Sequence, residues 1–128
     1  MIYAKTKGIK ISVNPVFTGT QTRHKQIHYL FDYYISIENL SNSTVQLKSR
    51  FWMIFDSLHH TEIVEGPGVI GMQPVLKSGE RHSYRSHCVL LSNCGAMKGY
   101  YSMTNLETDQ NFRVTIPLFQ LQTDSFLN

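Results

Sequence analysis

Residues 29 to 37 most constrain what this chain can become. Tyr29, Phe31, Tyr33, Ile35 and Ile37 stand at every second position, with Asp32, Ser36 and Glu38 in the alternate phase. Side chains alternate across an extended strand, so this spacing lines five large apolar groups along one face. A helix would scatter the same residues around its circumference. The stretch therefore predicts a long central strand with one buried face. A strand cannot cover that face alone, so a second layer must pack on it.

The remaining alternations supply partners. Ile9, Ile11 and Val13 share a face in a strand that Pro15 should stop. Thr18 to Gln26 is polar, carries Gly19 and reads as a loop. Beyond a turn at Asn39–Ser43, a strand from Val45 to Asp56 would be an antiparallel neighbour of the central one. Alternation puts Val45, Leu47, Phe51, Met53 and Phe55 on one of its faces, and Gln46, Lys48, Arg50 and Trp52 on the other. A turn at 56–60 leads to a short strand at 61–64, and Leu76 to Glu80 reads as another turn. Arg81 to Val89 reads as a strand with Tyr84 and Cys88 on one face, and a turn at Asn93–Gly95 follows it. Met97 to Thr104 is the next, with Met97, Gly99, Tyr101 and Met103 on one face, where the glycine marks close packing or a bulge. After a hairpin loop at 105–111 come Phe112, Val114 and Ile116, then Phe119 and Leu121 in a phase shifted by one. A bulge or kink at Pro117 would account for the slip. No helix is predicted. The fold expected is an all-β, two-sheet antiparallel sandwich of seven to eight strands, immunoglobulin-like in setting Trp52 on a central strand. It should form one domain over residues 1–128, with 1–8 and 122–128 as loose ends.

Composition removes several functions. With 41% hydrophobic and 16% charged residues, the chain is not disordered. No run approaches the roughly 18 apolar residues of a membrane span. The first residues contain no apolar signal region, which points to a cytoplasmic protein. The net charge is +3 and the 12 basic residues are scattered, Lys5, Lys7 and Lys10 forming the one loose cluster, so a nucleic-acid groove is not expected. Cys88 and Cys94 read as two reduced thiols.

Gly66, Gly68 and Gly71 have the G-x-G-x-x-G spacing of a dinucleotide fingerprint. That fingerprint opens a helix and needs an acid about twenty residues on. Pro74 and Gly79 leave no room for the helix, and the acid is missing. The glycines are read instead as the bend that carries the chain from one sheet to the other. An anion-binding nest for a pyrophosphate-like group, built on the amides of Gly66, Gly68 and Gly71, is the functional alternative.

Three further constellations stand out. His59 and His60, with Glu62 and Glu65, are the best candidate metal ligands, and His24 with His28 is a weaker pair. Cys88 with His87 or His82 is the nearest approach to a nucleophile and base. Neighbours on a strand point to opposite faces, and His82 lies about 20 Å from Cys88 along it, so no catalytic residues are assigned. Tyr34, Trp52 and Tyr100 could form an exposed anchor patch for a protein partner, or belong to the core or to a homodimer interface.

Several segments, in order, resemble the ApaG (CorD) family. They are Val45-Gln-Leu-Lys-Ser-Arg50, Trp52, the run from Gly66 to Gln73-Pro74, Ser78-Gly-Glu80, Tyr84-x-Ser86, Gly95-x-Met-x-Gly-x-Tyr101 and Ile116-Pro-x-Phe119. The resemblance spans about Ile9 to Leu121 and implies a fibronectin type III-like sandwich. It also implies a link, by phenotype, to cobalt tolerance and magnesium efflux. Related domains at the C-terminus of certain F-box proteins and of a polymerase-delta-interacting protein look like interaction modules. The expectation is a non-catalytic binding module for a protein partner, with no cofactor. The alternative is a sensor that binds a small pyrophosphate-like anion or a divalent cation.

Overall fold

A computed structural model describes residues 1–123, which form nine strands in two antiparallel sheets. The first sheet has the order β1 (Ile2–Thr6), β2 (Ile9–Arg23), β3 (Gln26–Asn39), β7 (Arg81–Leu90). The second has the order β5 (Glu62–Pro67), β4 (Val45–Asp56), β8 (Cys94–Asn105), β9 (Gln110–Gln122), and β6 (Val75–Leu76) pairs with the start of β4. No helix occurs among the described residues. The alternating face of β3 lies in the core: Phe31, Tyr33, Ile35 and Ile37 are all buried, as are Ile9, Ile11 and Val13 of β2. Tyr33 meets Trp52 of the opposite sheet edge-on, ring centroids 5.5 Å apart, and Trp52 meets Phe119 at 5.9 Å. Each such ring adds about 1.5–3 kcal/mol of burial. The slip at Pro117 is a bulge: β9 pairs Ile116 with Gly99 and Phe119 with Met97, so two residues oppose one. Both phases, Val114 with Ile116 and Phe119 with Leu121, consequently stay buried. Gly99 is required there, because a Cβ would stand 1.9 Å from the Phe51 carbonyl oxygen.

The ends and the first hairpin depart from expectation. Residues 2–6 are not loose; they pair with Ile9–Val13, and Gln122 closes β9. Thr123 is buried, and the rest of the expected C-terminal tail lies outside the described residues. Pro15 does not stop β2. The β1 ladder ends at the pair Ile2–Val13, so the missing N–H of Pro15 falls where β2 has already become an edge. Beyond it, Thr18–Gln26 forms the arms and turn of a hairpin, with His24 (φ 50°) and Lys25 (φ 64°) at its tip. Backbone pairing needs no apolar side chains, which is why a polar stretch could not reveal this strand.

The phase of β4 changes within the strand. A register shift against β8 between Leu47 and Ser49 leaves Val45 and Leu47 inward and then turns Arg50, Trp52 and Ile54 inward as well. Phe51, Met53 and Phe55 are displaced to the outer face, which corrects the assignment made from alternation.

The glycine stretch is not the crossing between sheets. β5 and β6 both pair with β4 along the same edge, so residues 68–74 are an excursion of that edge. The crossing follows at Lys77–Glu80, a turn closed by Glu80 N–H to the Lys77 carbonyl at 2.9 Å with Gly79 at φ 87°. Asn39, fully buried at the end of β3, holds this junction. Its amide donates to the carbonyls of Ser43 (2.8 Å) and Leu76 (2.9 Å), while its backbone bonds Gly79 and Glu80.

Candidate functional site

The register shift in β4 makes the most distinctive surface. On the outer face of the second sheet, Phe51 sits opposite Tyr100 and Met53 opposite Ile63. Phe51 and Tyr100 stack with centroids 4.9 Å apart and planes 13° from parallel. The Arg113 guanidinium covers the far side of Tyr100 at 4.3 Å, and the Lys98 ammonium lies 5.7 Å from the Phe55 ring centroid. Ile63 is 57% exposed. The result is an apolar and aromatic strip with cations along it, on a face that no other layer of the described residues covers. Of the expected anchors only Tyr100 belongs to it. Trp52 is 2% exposed and part of the core, turned inward by the bulge, and Tyr34 is exposed on the outer face of the other sheet. Tyr34, Trp52 and Tyr100 therefore form no common patch.

The glycine stretch folds into a tight hairpin. Val69 and Met72 exchange backbone hydrogen bonds of 2.8 and 3.0 Å, and Ile70 (φ 47°) and Gly71 (φ 72°) form the tip. Gly68 has φ 61°, and a Cβ there would lie 2.1 Å from the Met72 carbonyl oxygen. Its N–H donates to the Lys48 carbonyl at 2.8 Å, so the three glycines do not turn successive free amides toward a common point. Gly66 lies within β5, opposite Arg50. The nest read from Gly66, Gly68 and Gly71 is thus replaced by a hairpin whose tip and shoulder border a cleft. That cleft, of about 170 Å³, also contains Arg50, Tyr33, Tyr84 and Ser86.

His59 and His60 adjoin each other, rings 4.0 Å apart, in the turn after β4. His28 and Glu62 border the same shallow cleft, but Glu62 pairs with inward Ile54 and Glu65 with outward Phe51, so the two glutamates face opposite sides of β5. His24 lies at the hairpin tip between β2 and β3. Among the described residues no three His, Cys, Asp or Glu side chains are grouped so as to hold a metal ion. Asp56 beside them has a structural task. Its carboxylate accepts from Leu91 N–H (2.7 Å), the Ser92 hydroxyl (2.6 Å) and Leu58 N–H (3.2 Å). Burial raises its pKa, but these bonds and the His59 charge outweigh that and hold it below the usual carboxylate range. Cys88 is buried, and its thiol is pushed up to about 12 by burial first and by Glu62 and Asp56 second, so it stays protonated at neutral pH.

The family model described as the ApaG domain matches residues 19–105. A Protein ApaG of Brucella abortus is 40% identical over 121 residues, covering 94% of this chain and 92% of its own. One from Brucella anthropi is 41% identical over the same shares. A crystal structure of a putative ApaA protein from Bordetella pertussis superposes with a TM-score of 0.84 at 34% identity, covering 95% of each chain. With the family match extending from the β2–β3 hairpin to the end of β8 and the sandwich shared throughout, the chain belongs to the ApaG family.

Proposed function

We propose that this chain is a non-catalytic binding domain that docks a protein partner on the outer face of its second sheet. The observation that carries this reading is the Phe51–Tyr100 stack beneath Arg113, flanked by Met53, Phe55 and Ile63 on the solvent side. A sheet face of this kind gains its burial only when something covers it. Tyrosine and arginine are the residues that most often dominate protein interfaces, and a stacked pair loses little side-chain freedom on docking. The protonated state of Cys88 supports the non-catalytic part of the reading. On this reading the metal-tolerance phenotype that the family resemblance implies would act through the partner and not through ligands on this chain.

The test compares stoichiometric capture from native lysate by the wild type, a Phe51→Ser/Tyr100→Ser variant and a His59→Ala/His60→Ala variant. The expected result is one partner held by the wild type and the histidine variant and lost by the aromatic variant. A partner retained by the aromatic variant overturns the site. Self-association that the aromatic variant abolishes would assign the face to a second copy of the chain and overturn the separate partner.

A further inference from the structure

The register shift that exposes Phe51 also turns Arg50 into the gap between the sheets. Gly66 stands opposite it, and a Cβ there would lie 3.3 Å from Nη1, so the glycine clears the way for the guanidinium. Nη1 donates to the carbonyl oxygens of Pro67 and Gly68, both at 3.0 Å. Those two bonds use both hydrogens of Nη1. The donors on Nη2 and Nε, the edge that normally grips an oxyanion with two parallel bonds, have no partner among the described residues. No carboxylate neutralises the charge either; the ion pair found among the described residues is Arg81 with Glu38. A partly buried cation without a counter-charge is costly, and an incoming anion relieves that cost.

The surroundings suit such an anion. The cleft opens at the side of the sandwich where β5 and β7 are the outermost strands of their sheets. Tyr33, Tyr84 and Ser86 line it, with Ser86 bonded to Tyr33 and the Tyr84 hydroxyl to that of Tyr101, so these pairs keep donor capacity for an anion, and the Ile70–Gly71 tip of the hairpin adds backbone N–H groups that the Val69–Met72 bonds leave unused. Burial raises the pKa of Tyr33, Tyr84 and Tyr101, and the Arg50 charge opposes that in all three, so the guanidinium lies within electrostatic reach of each hydroxyl. Donors arriving from a guanidinium edge, two strands and a turn match the four oxygens of a tetrahedral group better than the two of a planar carboxylate.

We propose that the cleft formed by Arg50, Tyr33, Tyr84, Ser86 and the Ile70–Gly71 tip is a binding site for one phosphate group, free or as a monoester. It lies on the inner side of β4, away from the aromatic face, and does not depend on that face binding a protein.

The experiment is a titration of isotope-labelled protein at pH 7 and constant ionic strength, in three arms: inorganic phosphate, glycerol phosphate and acetate. The Arg50 Nε–H signal and the amides of Ile70 and Gly71 are followed by NMR. Inorganic phosphate is expected to shift all three saturably and acetate to leave them in place. An equal response to glycerol phosphate assigns a monoester-tolerant site, and a response to inorganic phosphate alone assigns the free ion. Arg50→Gln should abolish the shifts. Tyr84→Phe keeps the ring but gives up the bond between the Tyr84 and Tyr101 hydroxyls; once its thermal melt shows it folded, it should weaken the shifts at least about tenfold, the loss expected for one hydrogen bond to a charged group. Absence of saturation, unchanged binding in Tyr84→Phe, or equal binding of acetate overturns the proposal.

Discussion

Phe51 and Trp52, neighbours in sequence, serve opposite sides of one sheet: the first stacks, half-buried, on Tyr100 on the outer face, the second meets Tyr33 and Phe119 in the core. The local fold follows from which of the two points inward, and that is decided at the register shift between Leu47 and Ser49.

Truncating successive side chains of β4 tests the phase directly. Trp52→Ala should lower stability by about 3–5 kcal/mol, as for other buried large-to-small changes, and Met53→Ala by less than half of that. Urea denaturation of the two variants checks it; comparable losses would mean the strand has the other phase.

The stack itself should be measurable. A double-mutant cycle on Phe51 and Tyr100 should show a coupling of about 0.5–1.5 kcal/mol, the range for aromatic pairs beyond their burial. Zero coupling in urea melts would mean that the rings do not meet in solution.

Three glycines should respond in a set order. Gly99→Ala puts a Cβ 1.9 Å from the Phe51 oxygen, and Gly68→Ala adds a 2.1 Å clash to a positive φ, so both should unfold the chain or force a backbone shift. Gly71→Ala meets nothing within 4 Å and should cost only the left-handed backbone penalty, about 1–2 kcal/mol. Thermal melts of the three rank them.

Asp56 should make the fold acid-sensitive. Its folded pKa lies below the ordinary 3.8, so its contribution is present above that value and is lost as pH falls through the folded pKa. Asp56→Asn should be less stable than wild type at neutral pH and should lose less on acidification below the ordinary carboxylate range. Urea midpoints across that range decide it.

The thiols should separate. Cys88 is buried and protonated, whereas Cys94 is partly exposed beside Ser57, its sulfur 3.6 Å from the Ser57 hydroxyl. Native protein treated with a disulfide reagent should titrate one thiol readily and the second only on unfolding; two fast thiols would contradict the burial of Cys88.

What the sequence revealed depended on contrast between neighbouring positions. β3 alternates strictly apolar on its inner face, and both the strand and its buried side could be read from it. The slip across Pro117 was legible because a gap of three separates the apolar positions 116 and 119. The phase of β4 was not legible: residues 51 to 55 are Phe-Trp-Met-Ile-Phe, so alternation favours neither side, and the shift that decides it sits in polar Lys48–Ser49. The same blind spot hid the outer aromatic strip and the inward turn of Arg50. The glycines pointed to tight turning but not to which turn, since a hairpin on one edge and a passage between sheets both call for positive φ.

Asn39 ties together parts of the protein that could otherwise move separately. One side chain bridges the turn leaving the first sheet and the short strand that ends the second sheet's edge, while its peptide group binds the segment returning to the first. Neither layer can peel away without breaking the same buried knot. The two sheets should therefore melt as a single cooperative unit, with amide exchange at Asn39 and Gly79 as slow as in the strands themselves.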